Sequence, residues 1–500
     1  MGSSIVKSVL SILVLVILSF IVGIMSAENI RSAAMLIGGI AGIVGIVAMG
    51  TRVWTTIFLL LPVCMLMPRI MNIPISYILL SVILVYWLML RLLGYVRFTW
   101  RKLWGADLLV LAFLSYMVMT FVRHPVSVNI VNELFDIHTE YVGGTDYLCC
   151  VFFLVSYLVY SCIPFDNKLL LRLFKWNVWI RCICMFILGC LALRGVSMDN
   201  EKSRFSMFVE LGVILFVYLY CRYPVSRLIT SASSLFGLCI STVMVVISGF
   251  RTHLAVFGIT VLTCVVVKRE FMALLLATVL GASGLFCLQS TGALSVLPYS
   301  VQRSLSLLVV SDTGSEVARE GRASNDWRKT MWKWALDPRS GYIKDYIFGD
   351  GCGLHYDTWC RDNRGVMRGT ILHGDHQAFA RSRQWHSGFI STLQSLGWVG
   401  LSLTVLLYLY GFFAMFRIAS ALRGSPYFPY CMVFTCGVLA DAVQFYMSAG
   451  TLSSFILGLS FCSYLKLFHS IAVEEGYLTP GRKKSKYVPL LIRSESAQTV

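Results

Sequence analysis

Apolar residues in this chain of 500 amino acids form long runs that are separated by short polar stretches. Most runs are about 17–22 residues long, which is the length a helix needs to cross the ~30 Å hydrocarbon core of a bilayer. The pattern therefore predicts an all-α polytopic membrane protein with about 12–14 transmembrane helices. The runs are 8–26, 33–49, 53–67, 74–90, 104–122, 146–163, 176–194, 205–221, 229–249, 252–267, 271–289, 387–416, 427–446 and 450–467, of which 53–67 and 252–267 are short and 387–416 is long enough to tilt or break.

One long polar segment interrupts this pattern. It divides the chain into residues 1–289 with about eleven transmembrane helices, an extramembrane loop or cap at 290–386, three further helices within 387–467, and a basic tail at 468–500. Acidic and basic residues are mixed with tryptophan and glycine in the loop, which indicates a folded cap rather than a linker.

Two local patterns within the cap predict structure. An amphipathic helix is expected over Asn325–Leu336, with Trp327, Met331, Trp334 and Ala335 on one face. A turn is expected over the sequence GDGCG at 349–353, because glycine permits positive φ and close approach of backbones.

Composition agrees with a membrane protein, since 57% of the residues are hydrophobic, only 13% are charged, and the mean hydropathy is +0.75. The formal net charge of +17 does not indicate nucleic-acid binding, because Lys and Arg are concentrated in short loops between apolar runs. Alternation of the helices places these loops on one side of the membrane. The positive-inside rule then predicts that both termini are cytoplasmic and that the 290–386 cap lies on the outer face.

Three residues are candidates for chemistry: Arg251 at the outer end of an apolar run, Arg328 on the amphipathic segment of the cap, where it could simply form a solvated face, and His386. An arginine can snorkel to the headgroups, but its guanidinium also matches the oxygens of a phosphate or carboxylate. His386 stands where the cap enters the run 387–416, directly after Arg381, Arg383 and Trp385. Neighbouring positive charges suppress protonation of an imidazole, which would keep it available as a general base.

Two other groups of residues in the cap could form a site. His373, Asp375 and His376 are spaced too loosely for a metal site by themselves, so no metal is predicted. Of the 16 cysteines most lie inside apolar runs, but Cys352 and Cys360 lie in the outer cap, where they could form a disulfide or stay as thiols.

The sequence around these candidates resembles a known family. His386-Ser387, nine residues and then Gly397 resemble the signature of bacterial O-antigen ligases and the related Wzy-type O-antigen polymerases. The stretch SGFRTHLAVF around Arg251, and DWRKTMWKWAL followed by FGDGCG, resemble two further landmarks of that family in the same order. The resemblance covers roughly residues 240–405, and it departs from the commoner pattern by having Ser387 where Asn is frequent.

The resemblance implies a metal-independent, inverting glycosyltransferase with a membrane fold of the C type and no cofactor. Its donor would be a glycan on undecaprenyl diphosphate at the periplasmic face of the bacterial inner membrane. Arg251 and Arg328 would bind the diphosphate, and His386 would deprotonate the acceptor hydroxyl. Arg381, Arg383, Trp332 and Ser387 would contribute to substrate binding.

The alternative functions within this family differ in the acceptor that receives the glycan. Ligation of O-antigen to lipid A-core in lipopolysaccharide biosynthesis is favoured, a polymerase that extends lipid-linked repeats is the close alternative, and a protein O-glycosyltransferase is a third. A polysaccharide flippase or other transporter is a more remote alternative. The charged candidate residues are predicted to lie at one interface, whereas transporters usually place charged residues near the bilayer midplane.

Overall fold

The computed structural model describes residues 75–94, 99–126, 144–193, 206–305, 316–352, 383 and 385–478. Within these ranges the chain forms helices and no strand. The helices are α1 Ile75–Leu92, α2 Trp104–Arg123, α3 Thr145–Cys162, α4 Asn167–Leu193, α5 Ser206–Arg222, α6 Val225–Thr230, α7 Ala232–Ile247, α8 Arg251–Lys268, α9 Phe271–Ser290, α10 Tyr299–Leu305, α11 Glu316–Leu336, α12 Gly388–Ala421, α13 Phe428–Gln444, α14 Leu452–Gly458 and α15 Phe461–Glu474. Short 3₁₀ turns lie at Ala293–Val296 and Pro338–Ser340, and a π-helical turn at Phe445–Ala449 continues α13.

Five helical segments in the described ranges are long and apolar enough to cross a membrane. They are Trp104–Arg123, Arg251–Lys268, Gly388–Ala421, Phe428–Met447 and Leu452–Glu474. Shorter apolar helices lie at Leu79–Leu92, Asp146–Cys162 and Ala232–Ile247. The chain is therefore an all-α polytopic membrane protein, as predicted. The total of 12–14 helices and the C-type glycosyltransferase fold stay predictions, and the runs 8–26, 33–49 and 53–67 lie outside the described residues.

Two of the predicted apolar runs differ in detail from the helices. The run 176–194 was predicted to begin after a short basic loop, but Lys168 and Lys175 of that stretch lie within the first turns of α4, which begins at Asn167. The run 450–467 is divided between α14 and α15 by a turn at Leu459 and Ser460. The hydrophobic pattern located the apolar part of each element, but hydrogen bonds of the backbone decide where a helix begins and ends.

The amphipathic helix of the cap is longer than expected, since α11 begins at Glu316 instead of Asn325. Met331 and Ala335 are fully buried and Trp327 is half-buried, as the predicted stripe requires. Trp334 was assigned to the same stripe, but it is 40% exposed. The buried residues are spaced by four, and Trp334 lies beside that row rather than on it.

Helices α12 and α13 pack against each other and organise the bundle. Helix α12 also contacts α2, α15 and α8, while α13 contacts α5 and α8. Aromatic rings fill the space between α4, α13 and α15, where Phe174 stacks on Phe468 with ring centroids 4.9 Å apart and Phe434 stacks on Tyr464 at 3.9 Å. Helix α12 is thus packed against α2, α8, α13 and α15, and it begins at Gly388, two residues after His386.

The end of the bundle opposite the start of α12 has a buried ion pair. Lys466 on α15 is 1% exposed, and its Nζ lies 2.6 Å from Asp107 Oδ1 on α2. The hydroxyl of Tyr157 donates to the same oxygen at 2.5 Å, and the ring of Trp100 lies 4.2 Å from Lys466 Nζ. We call this group the Lys466 cluster.

Candidate active site

His386 lies between the cap and the first turn of α12. Its backbone adopts φ 51°, a left-handed conformation that non-glycine residues rarely take. The imidazole is half-buried and stands edge-to-face with the ring of Trp327, with centroids 5.6 Å apart. Burial lowers the pKa of His386, and the positive charge of Arg328 lowers it further. Both effects favour the neutral form of the imidazole.

Trp385 anchors the residue before the histidine. Its indole is fully buried, and Nε1 donates to Gln394 Oε1 at 2.8 Å. Its backbone N–H donates to Ser391 Oγ at 3.1 Å, and its carbonyl accepts a hydrogen bond from Trp332 Nε1 at 3.1 Å. These bonds tie the His386 segment to α12 on one side and to α11 on the other.

Helix α11 thereby brings Arg328 and Trp332, which were predicted to bind substrate, to the His386 segment. Arg328 is its electrostatic neighbour, and Trp332, one turn further along α11, holds the backbone next to it. Trp327 was predicted only as part of a packing stripe, yet its ring lies against the imidazole. Arg328 and Trp332 are thus both near the His386 segment, while their roles in binding substrate stay predictions.

Helix α12 is broken at Gly397, the last residue of the signature that begins at His386. Gly397 has φ 64° and ψ −170°, a conformation that is open essentially to glycine alone. A Cβ at this position would lie 2.3 Å from the carbonyl oxygen of Ile347. The break therefore requires glycine for both its backbone conformation and the close approach of the segment 345–351.

The segment 345–351, which we call the cap turn, is inserted into this break. The N–H of Trp398 donates to the carbonyl of Tyr346 at 2.8 Å, and the N–H of Asp350 donates to the carbonyl of Gln394 at 2.8 Å. Backbone groups freed by the break are thus paired with the cap turn, as groups within a membrane protein must be. Gly349 and Gly351 have φ 79° and 84°, which confirms the predicted use of glycine in this turn.

Arg383 and Ser387 were predicted to bind substrate, and the structure gives both side chains partners within the protein. The guanidinium of Arg383 donates to the carbonyls of Gly351 and Asp350, so it ties the cap turn to the His386 segment. Ser387 is buried, and its Oγ donates to the carbonyl of Tyr446 in the π-helical turn at 3.3 Å. These contacts favour a structural role for both residues.

Arg251 is the first residue of α8 and is half-buried. The two-residue connection after α8 makes α9 return toward the Arg251 end, where α10 follows. Helix α10 packs against α7 and α8 and also against α11, the helix that carries Arg328. The start of α8 is therefore joined to the His386 region through α10 and α11, while convergence of Arg251, Arg328 and His386 on one ligand stays a prediction.

Several predicted residues lie outside the described ranges: Arg381, Cys360, His373, Asp375 and His376. Cys352 is fully buried beside Tyr147 of α3, and burial raises the pKa of its thiol. The disulfide with Cys360 stays a prediction. Among the residues that are described, no three His, Cys, Asp or Glu side chains come together to hold a metal.

Three contributors to this site were not identified from the sequence. Gln394 is a polar residue within the apolar run 387–416, so the hydrophobic pattern could have identified it as a candidate. Tyr116 gave no signal, although its hydroxyl donates to the carbonyls of Leu396 at 2.6 Å and Phe348 at 3.0 Å. The cap turn was predicted as a turn, but its insertion into α12 depends on contacts between distant parts of the chain.

Comparisons with protein-family models and with curated proteins give no match for this chain.

Proposed function

We propose that the protein is a membrane-embedded glycosyltransferase that moves a glycan from undecaprenyl diphosphate to an acceptor hydroxyl. The observation that carries the proposal is the environment of His386. Burial and the charge of Arg328 lower the pKa of its imidazole, the ring stands edge-to-face with Trp327, and the preceding residue, Trp385, is hydrogen-bonded to Ser391 of α12. An arrangement of this kind supports removal of a proton from a hydroxyl next to an anionic substrate.

His386 is the proposed general base. An alcohol is a weak nucleophile, and a positioned base contributes about 10²–10⁴-fold to such a reaction. The proton of the acceptor hydroxyl passes to the imidazole as the oxygen attacks the anomeric carbon. The bond from that carbon to the diphosphate oxygen breaks, and the undecaprenyl diphosphate leaves with inversion of configuration.

Arg328 and Arg251 are proposed to stabilise the negative charge that develops on the leaving diphosphate. Guanidinium groups suit this role because they hold phosphate oxygens through paired hydrogen bonds and stay charged. The reaction then needs neither a metal ion nor a cofactor. We further propose that the site faces the periplasm, in the inner membrane of a bacterium, with both termini cytoplasmic.

The favoured acceptor is lipid A-core, which makes the protein an O-antigen ligase, and the alternative acceptor is a second lipid-linked repeat, as in a polymerase. Transport of the lipid-linked glycan is a second candidate. It is favoured by one observation, namely that Arg181, Glu210 and Asp441 are charged side chains within helices α4, α5 and α13.

A transfer assay with purified full-length protein tests the proposal. The reaction would contain undecaprenyl-diphosphate glycan and EDTA, with lipid A-core or a second lipid-linked repeat as the acceptor. Product on lipid A-core identifies a ligase, and a ladder on undecaprenyl diphosphate identifies a polymerase. Transfer that is absent with both acceptors, together with movement of the lipid-linked glycan across vesicles, would instead establish a transporter.

A further inference from the structure

Helix α12 is longer than the hydrocarbon core of a membrane is thick. Its 34 residues span about 51 Å, whereas the hydrocarbon core is ~30 Å across. A part of the helix must therefore lie outside the hydrocarbon. The run 387–416 begins where the cap ends, so the hydrophobic pattern alone places the membrane boundary at the first residues of α12.

The surroundings of α12 change at Trp398. From Gly388 to Gly397 no residue is exposed, and Ser391, Thr392, Gln394 and Ser395 are buried polar residues. From Trp398 onward one side of the helix is exposed, and the exposed residues are Trp398, Val399, Ser402, Val405, Leu406, Leu409 and Phe413. A mainly apolar stripe at helical spacing is the surface that a membrane helix presents to acyl chains. Contact with lipid therefore begins at Trp398, and protein encloses the part of α12 before it.

The length of the remaining part of α12 agrees with this boundary. From Trp398 to Arg417 there are 20 residues, which span about 30 Å as a helix. Arg417 is exposed and belongs to a basic loop that is predicted to be cytoplasmic. Tryptophan and arginine are both favoured where a helix leaves the hydrocarbon.

Helix α2 locates the same boundary independently. It is a candidate span of 20 residues, Trp104–Arg123, and it packs against α12. Its last residue, Arg123, is exposed and forms an ion pair of 2.8 Å with Asp345 of the cap turn. The cap turn in turn meets α12 just after the break, where the N–H of Val399 donates to the carbonyl of Ile347 at 3.2 Å. The outer end of α2 and the broken part of α12 thus meet at the cap turn.

The charges around the cap turn exclude a boundary at Gly388. The N–H of Asp350 donates to the carbonyl of Gln394, and Lys344 beside the turn is exposed. If the hydrocarbon began at Gly388, Gln394 would lie about 9 Å inside it, and the charged residues of the turn would be there as well. Charged side chains are strongly unfavourable in hydrocarbon.

Five exposed residues surround the break in α12: Arg123, Ile347, Phe348, Trp398 and Val399. The guanidinium of Arg123 lies over the ring of Phe348, 4.9 Å from its centroid. Aromatic and apolar side chains beside a cation suit the layer where headgroups meet acyl chains. We propose that these five residues, which we call the collar, bind the phospholipids of the leaflet on the cap side at the level of their headgroups.

The collar makes residues 388–396 a part of the cap, and α12 crosses the hydrocarbon from Trp398 to Arg417. His386 then lies outside the hydrocarbon, so its site opens to headgroups and water rather than to acyl chains. The proposal is independent of the glycosyltransferase assignment, because it rests on the packing and exposure of α2, α12 and the cap turn.

Arginine substitution of two matched valines tests the boundary. Val399 and Val405 lie on α12 about 9 Å apart along its axis, and both are 36% exposed. The melting temperature of the full-length protein would be measured in phospholipid nanodiscs, with Val399→Ala and Val405→Ala as controls for lost packing. Val399→Arg should behave like its alanine control, since the guanidinium reaches the headgroups. Val405→Arg should lower the melting temperature by roughly 5 °C or more, since its charge enters the hydrocarbon.

A boundary at Gly388 gives the opposite order. Val399 would then lie near the middle of the bilayer and Val405 nearer the inner headgroups, so Val399→Arg would be the more harmful substitution. That order, or equal losses in the two arginine variants, would overturn the proposal.

A spin label measures the depth directly and does not depend on how well the arginine variants fold. A ketone-bearing amino acid introduced at Ile347, Val399 or Val405 can be labelled without modifying the native cysteines. Accessibility to oxygen and to a water-soluble nickel complex then gives the depth of each label in nanodiscs. We expect the labels at Ile347 and Val399 at headgroup depth and the label at Val405 within the hydrocarbon. Labels at Ile347 and Val399 that lie in bulk water, lie as deep as Val405, or are shielded from both reagents by protein would overturn the proposal.

Discussion

The two ends of α12 and its neighbours satisfy their charged groups in different ways. At the Lys466 cluster the ammonium group of Lys466 contacts the carboxylate of Asp107, the hydroxyl of Tyr157 donates to that carboxylate, and the ring of Trp100 lies against the ammonium group. At the His386 site two residues, Arg383 and His386, adopt positive φ, and α12 itself is broken at Gly397. At the Lys466 end one positive and one negative charge neutralise each other. At the His386 end the backbone is strained and the imidazole is half-buried.

Under the proposed function, this difference separates residues that stabilise the fold from residues that carry out transfer. Strained conformations persist only where surrounding contacts enforce them, and they are concentrated at functional sites. Here the contacts come from the cap turn, Arg383 and Trp385, which hold His386 against Arg328. Substitutions at the Lys466 cluster should therefore act on folding, and substitution of His386 itself on the proposed transfer activity.

The largest effect is expected for His386→Ala. Loss of the general base should lower the transfer rate by about 10²–10⁴-fold, while the melting temperature changes little. The control is His469→Ala, which removes a half-buried histidine near the Lys466 cluster and should leave the rate unchanged. An equal loss of rate in both variants would contradict the assignment of transfer activity to the His386 site.

The next largest effect is expected for Lys466→Met. The substitution leaves Asp107 without its counter-ion in a largely apolar surrounding, and removal of one partner from such a pair costs about 3 kcal/mol of unfolding free energy. The double variant with Asp107→Asn removes both charges and should recover most of the stability. Chemical denaturation of the purified variants measures both values, and a double variant no more stable than Lys466→Met would argue against the pair.

A smaller effect on stability is expected for Gly397→Ala. The new methyl group meets the carbonyl of Ile347 and the backbone conformation is unfavourable for alanine, so we expect a loss of about 2 kcal/mol. Gly437→Ala on α13 is the matched control, because no atom lies within 4 Å of the added Cβ. That control should raise stability by about 0.5–1 kcal/mol in the same denaturation experiment.

The smallest effect is a change in the pH dependence of transfer. Burial and Arg328 both lower the pKa of His386, so the neutral base persists below the ordinary pH range of histidine. Arg328→Gln removes the like charge and should move the acidic limb of the rate profile to higher pH. Measurement of kcat/KM against pH in wild type and variant tests this, and an unchanged acidic limb would mean that Arg328 does not act on the imidazole.

The sequence by itself determined the membrane class and most helix positions among the described residues. These follow from local chemistry, because an apolar run of sufficient length must be a helix in a bilayer and a mixed polar segment must leave it. Gly397 and the glycines of the cap turn could also be located, since positive φ is a local requirement.

The tertiary structure alone decided which residues meet. Trp327 on His386, Tyr116 at the helix break and Arg383 on the cap turn are contacts between distant positions, and no periodicity encodes them. The same holds for the charges inside the bundle. Asp107 and Asp441 are both single carboxylates at apolar runs in the sequence, but folding gives one its own lysine, whereas the other has Arg181 as an electrostatic neighbour.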